Sequence, residues 1–189
     1  MSGDVRIVQT PNPDAFMFRV NETLVPNGTY EYFKGDNLDD SPLAQRLLPI
    51  QDVELILIAP RFITVRKDPT ADWEDLFKPI LTQISEFIDS GEMAVIENES
   101  TQTASDKNWT ELEQQIVKLL DEDVRPAIAQ DGGDLVFHGF EDGMVKLELI
   151  GACGTCPSST ATLHFGIQNL LMEEFDEVEG VEQITSNQG

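Results

Sequence analysis

The sequence predicts an α+β protein built from two small mixed domains that a flexible linker joins. At both ends of the 189-residue chain, short apolar runs of strand length alternate with longer runs at helical spacing. Hydrophobic residues make up 40% of the chain, which is enough to bury a core. From Glu97 to Asn108 the chain reads ENESTQTASDKN, and a segment with a single alanine as its apolar residue cannot bury one. We therefore predict domains at 1–93 and 109–189 and a linker at 94–108.

The N-terminal domain is predicted to contain several short strands and two helices. Ser41 is a suitable N-cap and Pro42 a suitable first position for a short helix that runs through Leu48. Prolines and Asx residues in the turn after the first strand favour a tight reversal of the chain. The predicted strands are Val5–Gln9, Phe16–Val20, Thr29–Phe33, Val53–Ile58 and Phe62–Arg66.

A longer helix is predicted from a cap at Asp72 to about Ser90, where Gly91 would end it. Pro79 falls inside this segment, so either the helix bends there or it begins only near Lys78. The apolar residues of the segment recur at helical spacing and form one stripe. They are Leu76, Phe77, Ile80, Leu81, Ile84, Phe87 and Ile88.

The C-terminal domain is predicted to follow the order helix, hairpin, CxxC, helix, strand. Asn108 and Thr110 are alternative N-caps of its first helix, since a glutamate follows three residues after each of them. Pro126 is expected to end or kink that helix. The next segments are a turn at Asp131-Gly132-Gly133-Asp134, strands at Leu135–Phe140 and Met144–Ile150 around Asp142-Gly143, a helix opened by Pro157 and a last strand at Val181–Ile184.

Charge excludes two classes of partner. The formal net charge is −23, with 35 acidic side chains against 12 basic ones, and these cannot supply a basic surface for nucleic acid. The same charge argues against binding to anionic membranes. The longest apolar run, around Leu55–Ala59, is far too short to span a bilayer. The acidity fits either a salt-rich cytoplasm or an ordinary acidic protein.

The two cysteines are the candidate functional residues. They are spaced Cys153-Gly154-Thr155-Cys156, so both thiolates can reach one metal centre. Cys156 precedes a predicted helix, whose N-terminus favours a thiolate. Gly151 and Gly154 leave the backbone open to a bulky anionic ligand. This arrangement suits cluster or metal binding, or disulfide exchange.

Chain topology and ligand counting separate these chemistries. A thioredoxin-like oxidoreductase needs most of its domain after the motif, whereas only Pro157–Gly189 follow here. A cubane iron–sulfur cluster takes four thiolates, so two copies of the chain would share one cluster across a two-fold axis. Zinc could be bridged in the same way. His138 and His164 are not expected to be ligands. A cluster split between two chains is easily released, which suits a donor.

Both halves of the chain resemble the Nfu proteins, which combine an Nfu N-terminal domain with the NifU C-terminal domain. The residues that match the N-terminal domain are Thr10-Pro11-Asn12-Pro13, Ser41-Pro42-Leu43-Ala44 and Phe62-Ile63-Thr64-Val65. Those that match the C-terminal domain are Arg125-Pro126, Asp131-Gly132-Gly133-Asp134, Gly151-Ala152-Cys153-Gly154-Thr155-Cys156-Pro157-Ser158-Ser159, Gly166-Ile167 and Val178-Glu179-Gly180-Val181.

The resemblance implies an iron–sulfur cluster carrier that is not an enzyme. One labile [4Fe-4S] cluster would be held per homodimer by Cys153 and Cys156 of each copy. The cluster would come from an upstream assembly scaffold and pass to apo iron–sulfur client proteins. The N-terminal domain contains no cysteine and would recognise clients or partners. Met1–Asp4 shows no features of a leader, so we expect a bacterial cytoplasmic protein, or a mature form of the mitochondrial matrix.

Overall fold

The structure, a computed structural model, describes residues 5–96, 109–154 and 157–184, with the backbone alone at 157–160. The described residues fall into two compact units, 5–96 and 109–184. Each contains helices and a sheet, which confirms the α+β class. Ala94 and Val95 pack into the core of the N-terminal unit. Most of the predicted linker lies outside the described residues, and the two predicted domain boundaries remain predictions.

The N-terminal unit contains an antiparallel five-stranded sheet in the order β1-β2-β5-β4-β3. Its strands are β1 (Arg6–Gln9), β2 (Ala15–Arg19), β3 (Tyr30–Phe33), β4 (Val53–Ala59) and β5 (Phe62–Lys67). Each of the five predicted strands is therefore found, with ends that differ by one residue or less. The interior strand β4 is almost wholly buried, as its apolar run from Leu55 to Ala59 requires.

Two helices, α1 (Pro42–Leu47) and α2 (Trp73–Ser90), belong to this unit. Ser41 caps α1 as predicted, because its Oγ accepts a hydrogen bond from the Ala44 amide at 3.1 Å. Gly91 ends α2 in a left-handed conformation, at φ 69°. Pro79 lies inside α2, so the alternative start near Lys78 is wrong. Asp72 occupies the N-cap position of α2, but its side chain makes no capping bond.

The C-terminal unit begins with an unusual helix that contains one π-helical turn. It consists of α3 (Glu111–Leu119), the π-helical turn (Leu120–Val124) and α4 (Arg125–Gln130). Thr110 is the N-cap and forms a capping box with Glu113. Pro126 neither ends this helix nor removes its last turn. Pro126 has no N–H to donate, and its ring disturbs the regular helical hydrogen bonds of the preceding turn. The π-helical turn, which contains one extra residue, lies just before this position.

A three-stranded sheet with the order β6-β7-β8 completes this unit. Its strands are β6 (Gly133–Glu141), β7 (Met144–Gly151) and β8 (Gly180–Gln183), and α5 (Pro157–Glu174) connects the last two. Asp142 and Gly143 turn the β6–β7 hairpin with φ values of 51° and 79°, as predicted. The strands β7 and β8 are parallel, so the chain has to cross back between the end of β7 and the start of β8. The helix α5 lies in this crossover connection.

Candidate cluster-binding site

The first predicted ligand, Cys153, lies in the turn after β7. Cys153 is only 2% exposed and belongs to the apolar core of the C-terminal unit. Its neighbour Ala152 donates a backbone hydrogen bond to the Gly132 carbonyl at 3.3 Å, which ties the turn to the start of β6. The second predicted ligand, Cys156, lies outside the described residues. The structure therefore describes one of the two thiols, and the predicted pair remains a prediction.

Three glycines allow the cysteine turn to pack against the hairpin. A Cβ atom added at Gly133 would lie 2.8 Å from Cys153 Sγ and 2.8 Å from the Ile150 carbonyl oxygen. At Gly154 an added Cβ would lie 2.2 Å from the Leu149 carbonyl oxygen, far inside van der Waals contact. Gly151 has a φ of 74°, a conformation that favours glycine. The backbone thus follows a path past β6 and β7 that side chains would block.

An ion pair holds the start of β6 against the π-helical turn and α4. Arg125 Nη1 lies 2.6 Å from Asp134 Oδ1 and donates to the Leu135 carbonyl at 3.1 Å. Arg125 Nε lies 2.9 Å from Asp121 Oδ1. Asp134 Oδ1 also accepts the Leu135 amide at 2.7 Å, and its side chain is only 8% exposed. The Asp131–Asp134 run is therefore a turn at Asp131-Gly132 followed by the first two residues of β6, and the Asp134 carboxylate fixes the helix to the sheet.

Both histidines make contacts that give them structural roles. His138 Nε2 lies 2.8 Å from Glu148 Oε2, across the hairpin. His164 Nε2 lies 2.9 Å from the Val181 carbonyl oxygen and joins α5 to β8. Within 5–96, 109–154 and 157–184, no three His, Cys, Asp or Glu side chains lie close enough together to hold a metal ion. Over those same ranges no helix has the length and apolar content that crossing a bilayer requires.

Sequence reasoning missed the role of Arg125 and the steric requirement at Gly133. Arg125 acts on the site through Asp134, nine residues later, a pairing that no local pattern predicts. Gly133 was assigned to a turn, whereas it lies at the first position of β6 beneath the thiol of Cys153. The available signal was that both residues fall within the motifs shared with the Nfu proteins.

Comparison with known proteins identifies both halves of the chain. Residues 5–91 match the family model described as the scaffold protein Nfu/NifU N terminal, and residues 116–182 match the NifU-like domain. The chain is 37% identical over 185 residues to human "NFU1 iron-sulfur cluster scaffold homolog, mitochondrial", covering 97% of this chain and 73% of that protein. The protein of the same name from Drosophila persimilis is 36% identical over 184 residues, covering 95% of this chain and 64% of its own length.

Two solved structures are also similar to parts of the chain. The solution NMR structure of a NifU-like protein from Saccharomyces cerevisiae has a TM-score of 0.47 at 21% identity and covers 51% of this chain and 87% of that one. The crystal structure of protein SAV1430 from Staphylococcus aureus has a TM-score of 0.40 at 23% identity, covering 44% and 99%. Neither similarity bears on function. The two consecutive domain matches and the human relative show that the chain belongs to the Nfu family, whose members combine an Nfu N-terminal domain with a NifU-like domain.

Proposed function

We propose that this chain carries an iron–sulfur cluster and delivers it to apo-proteins. The observation that carries the proposal is the Cys153–Cys156 pair at the junction of β7 and α5, in a chain whose relatives are named iron–sulfur cluster scaffolds. The role is carriage, without catalytic turnover. The upstream partner is an assembly scaffold that supplies the cluster, and the downstream partners are apo iron–sulfur proteins.

The number of thiols determines the proposed stoichiometry. One chain supplies two cysteines, and a [4Fe-4S] cluster takes four thiolates. Two copies related by a two-fold axis complete the ligand set, so one cluster is held per homodimer. Each copy then contributes half of the chelate, and an acceptor with its own cysteines can displace the ligands stepwise. A cluster held in this way is released more easily than one enclosed by four cysteines of a single chain.

The burial of Cys153 adds a structural step to loading. Its thiol lies in the core beside Gly133, whereas a cluster shared between copies lies at a protein surface. The turn at 152–154 therefore changes conformation so that Sγ can reach the cluster. A compartment that keeps thiols reduced is also required. We infer that this compartment is the bacterial cytoplasm or the mitochondrial matrix. The names of the relatives describe those proteins as mitochondrial.

Anaerobic reconstitution of the full chain with iron and sulfide tests the proposal. The expected product absorbs near about 400 nm and contains about four irons per two chains. Cys153→Ser and Cys156→Ser are each expected to lose the cluster. His138→Gln is the matched control, because His138 contacts Glu148 and is not a predicted ligand. This variant should bind as much iron per chain as the wild type. The loaded wild-type chain should activate an apo-ferredoxin on mixing.

Several results would contradict the proposal. Retention of the cluster by either serine variant would remove the cysteines from the ligand set. Tight binding of zinc with no cluster formed under reducing conditions would instead favour a zinc-bridged interaction protein. A stable cluster that never reaches the apo-ferredoxin would indicate electron transfer. Rapid disulfide exchange with a protein substrate, together with failure to form a cluster, would favour a thiol oxidoreductase.

A further inference from the structure

A groove of about 690 Å³ lies between α1 and α2 of the N-terminal unit. Each helix turns one apolar side into the core, with Leu43 and Leu47 buried on α1 and Ile80 and Ile84 buried on α2. Residues beside these positions line the groove. Its volume lies within the range of about 300–1,000 Å³ that is usual for binding sites. The groove is therefore large enough to hold part of a partner molecule.

Part of the groove surface is apolar and rigid. Pro49 and Ile50 follow α1, and Pro79 lies inside α2. Ile50 packs against the core of the unit, which fixes its position. The two proline rings lose no side-chain entropy when another molecule covers them. A bound molecule that places an apolar group against these three residues therefore gains contacts without ordering flexible side chains of the groove.

Three neutral polar side chains also line the groove, and each is hydrogen-bonded within the N-terminal unit. Gln45 Nε2 donates to the Leu38 carbonyl at 2.8 Å. Thr82 Oγ1 donates at 2.8 Å to a backbone carbonyl one turn earlier in α2. Gln83 Nε2 donates to Glu86 Oε2 at 3.4 Å. The polar groups of the groove that remain to recognise a partner are therefore its basic side chains.

Two basic side chains line the groove, one on each helix. Arg46 Nη2 lies 2.8 Å from Glu92 Oε2, and the guanidinium carbon lies 5.4 Å from the centre of the Phe87 ring. These contacts orient the guanidinium and engage one of its three nitrogens, so the other two can donate to a ligand. Lys78 is exposed, and no carboxylate that the structure describes lies within 4.0 Å of its ammonium. An oriented guanidinium and a free ammonium together can bind carboxylates.

The charge of the groove is opposite to that of the chain. Acidic side chains outnumber basic ones by 35 to 12 over the sequence, yet none of the described residues that line the groove is acidic. Eight of the twelve basic residues lie in 5–96, so the N-terminal unit is the part of the chain best able to meet an acidic partner. The many carboxylates of the chain repel a large acidic surface at long range. A short acidic segment that enters the groove alone avoids most of that repulsion.

We propose that the groove between α1 and α2 binds a short acidic segment of a partner protein. The groove is open to solvent, which suits a peptide segment lying across the surface better than a small molecule that its site would enclose. Carboxylates of the segment pair with Arg46 and Lys78, and one of its apolar side chains contacts Ile50 and Pro79. The inference goes beyond the proposed function, because it gives the N-terminal unit a binding role that requires no cluster.

Selection of peptides on the full chain tests this groove. Short peptides from a random library are enriched on the immobilised wild-type protein, and fluorescence anisotropy measures their dissociation constants. The enriched peptides should combine Asp or Glu with an aliphatic residue. Lys78→Glu and Thr82→Glu each place a carboxylate in the groove and should raise the dissociation constant of these peptides at least about tenfold. Lys34→Glu is the matched control, because Lys34 is an exposed lysine of the same unit outside the groove, and this variant should bind the peptides as the wild type does.

Both groove variants should remain folded, since glutamate is a good helix former, and urea unfolding checks this. Enriched peptides with no excess of acidic residues would overturn the inference, as would acidic peptides that bind all four proteins equally well. Displacement of the peptides by citrate at a similar affinity would assign the groove to a small organic anion and overturn it too. Self-association in sedimentation velocity that Lys78→Glu abolishes would assign the groove to a second copy, with the same consequence.

Iron uptake keeps this inference separate from the proposed function. After anaerobic reconstitution, Lys78→Glu and Thr82→Glu should bind as much iron per chain as the wild type, because both cysteines lie outside the N-terminal unit. A wild-type chain that binds acidic peptides in the groove but takes up no cluster would support the inference and refute the proposed function.

Discussion

The backbone of Gly133 passes directly against the thiol of Cys153. An added Cβ at Gly133 would lie 2.8 Å from Cys153 Sγ, a distance that real Cβ atoms do not show. The same atom would lie 2.8 Å from the Ile150 carbonyl oxygen, on the strand paired with β6. The position of the thiol and the pairing of the hairpin therefore both depend on the absence of a side chain at Gly133.

Gly133→Ala is expected to destabilise the C-terminal unit by about 1–3 kcal/mol, the usual cost of inserting a methyl group into a packed core. Urea unfolding followed at Trp109, with Trp73 replaced by Phe so that the signal comes from one unit, measures the stability. Gly166→Ala is the control, since nothing lies within 4 Å of its added Cβ, and it should stabilise the cluster-free chain by up to about 1 kcal/mol. Wild-type stability in Gly133→Ala would show that the site accommodates the methyl group.

Arg125→Met is expected to destabilise the C-terminal unit by about 1–3 kcal/mol. It would leave the carboxylate of Asp134, which is 8% exposed, without its cation. The cost is below that of a fully buried pair because the Arg125 side chain is itself 38% exposed. Lys118→Met is the control, because Lys118 and Glu122 lie 4.0 Å apart and are 73% and 64% exposed. That variant should lose less than about 0.5 kcal/mol. Equal losses in the two variants, measured by urea unfolding, would contradict a structural role for the Arg125–Asp134 pair.

The stability of the N-terminal unit is expected to fall at alkaline pH because of Tyr32. Burial, followed by the negative charge of Asp40, raises the pKa of Tyr32 well above its ordinary value of 10. The folded state therefore keeps a proton that the unfolded state releases near pH 10. The stabilisation is fully present below that pH and is lost as pH rises towards the raised pKa, by up to about 1.4 kcal/mol per pH unit.

Urea unfolding followed at Trp73 between about pH 8 and pH 11 measures this effect, with Trp109 replaced by Phe. The comparison is with Tyr32→Phe, which cannot ionise and should show a shallower loss of stability above pH 10. The stability that the Tyr32→Phe variant loses at neutral pH reports only the missing contacts of the hydroxyl group. Parallel pH profiles for the two proteins would mean that Tyr32 does not contribute to the alkaline transition.

The sequence predicted most helices and strands because their signals are local. Asp142 and Gly143 fix a hairpin through their own backbone conformations. Ser41 caps α1 through the amide of Ala44, which is only three residues away in sequence. Asp72 shows the limit of such reasoning, since it occupies the N-cap position without making the capping bond. The π-helical turn at Leu120–Val124 was also missed. A proline in a helical segment indicates that the regular hydrogen bonding is disturbed. It does not indicate whether the helix ends there or continues after a π-helical turn.

The sequence by itself determined that the candidate site is a cysteine pair between a strand and a helix, and that one chain supplies two thiols. Residue identity and spacing carry that information directly. Only the tertiary structure decided that Cys153 is buried, that Gly133 lies beneath its thiol and that Arg125 holds Asp134. The physical reason is that these contacts join segments that are separated along the chain, and their distances depend on how β6, β7 and α4 pack together. The same packing leaves the Phe165 side chain 64% exposed on α5, whereas the sequence could not distinguish it from a core residue.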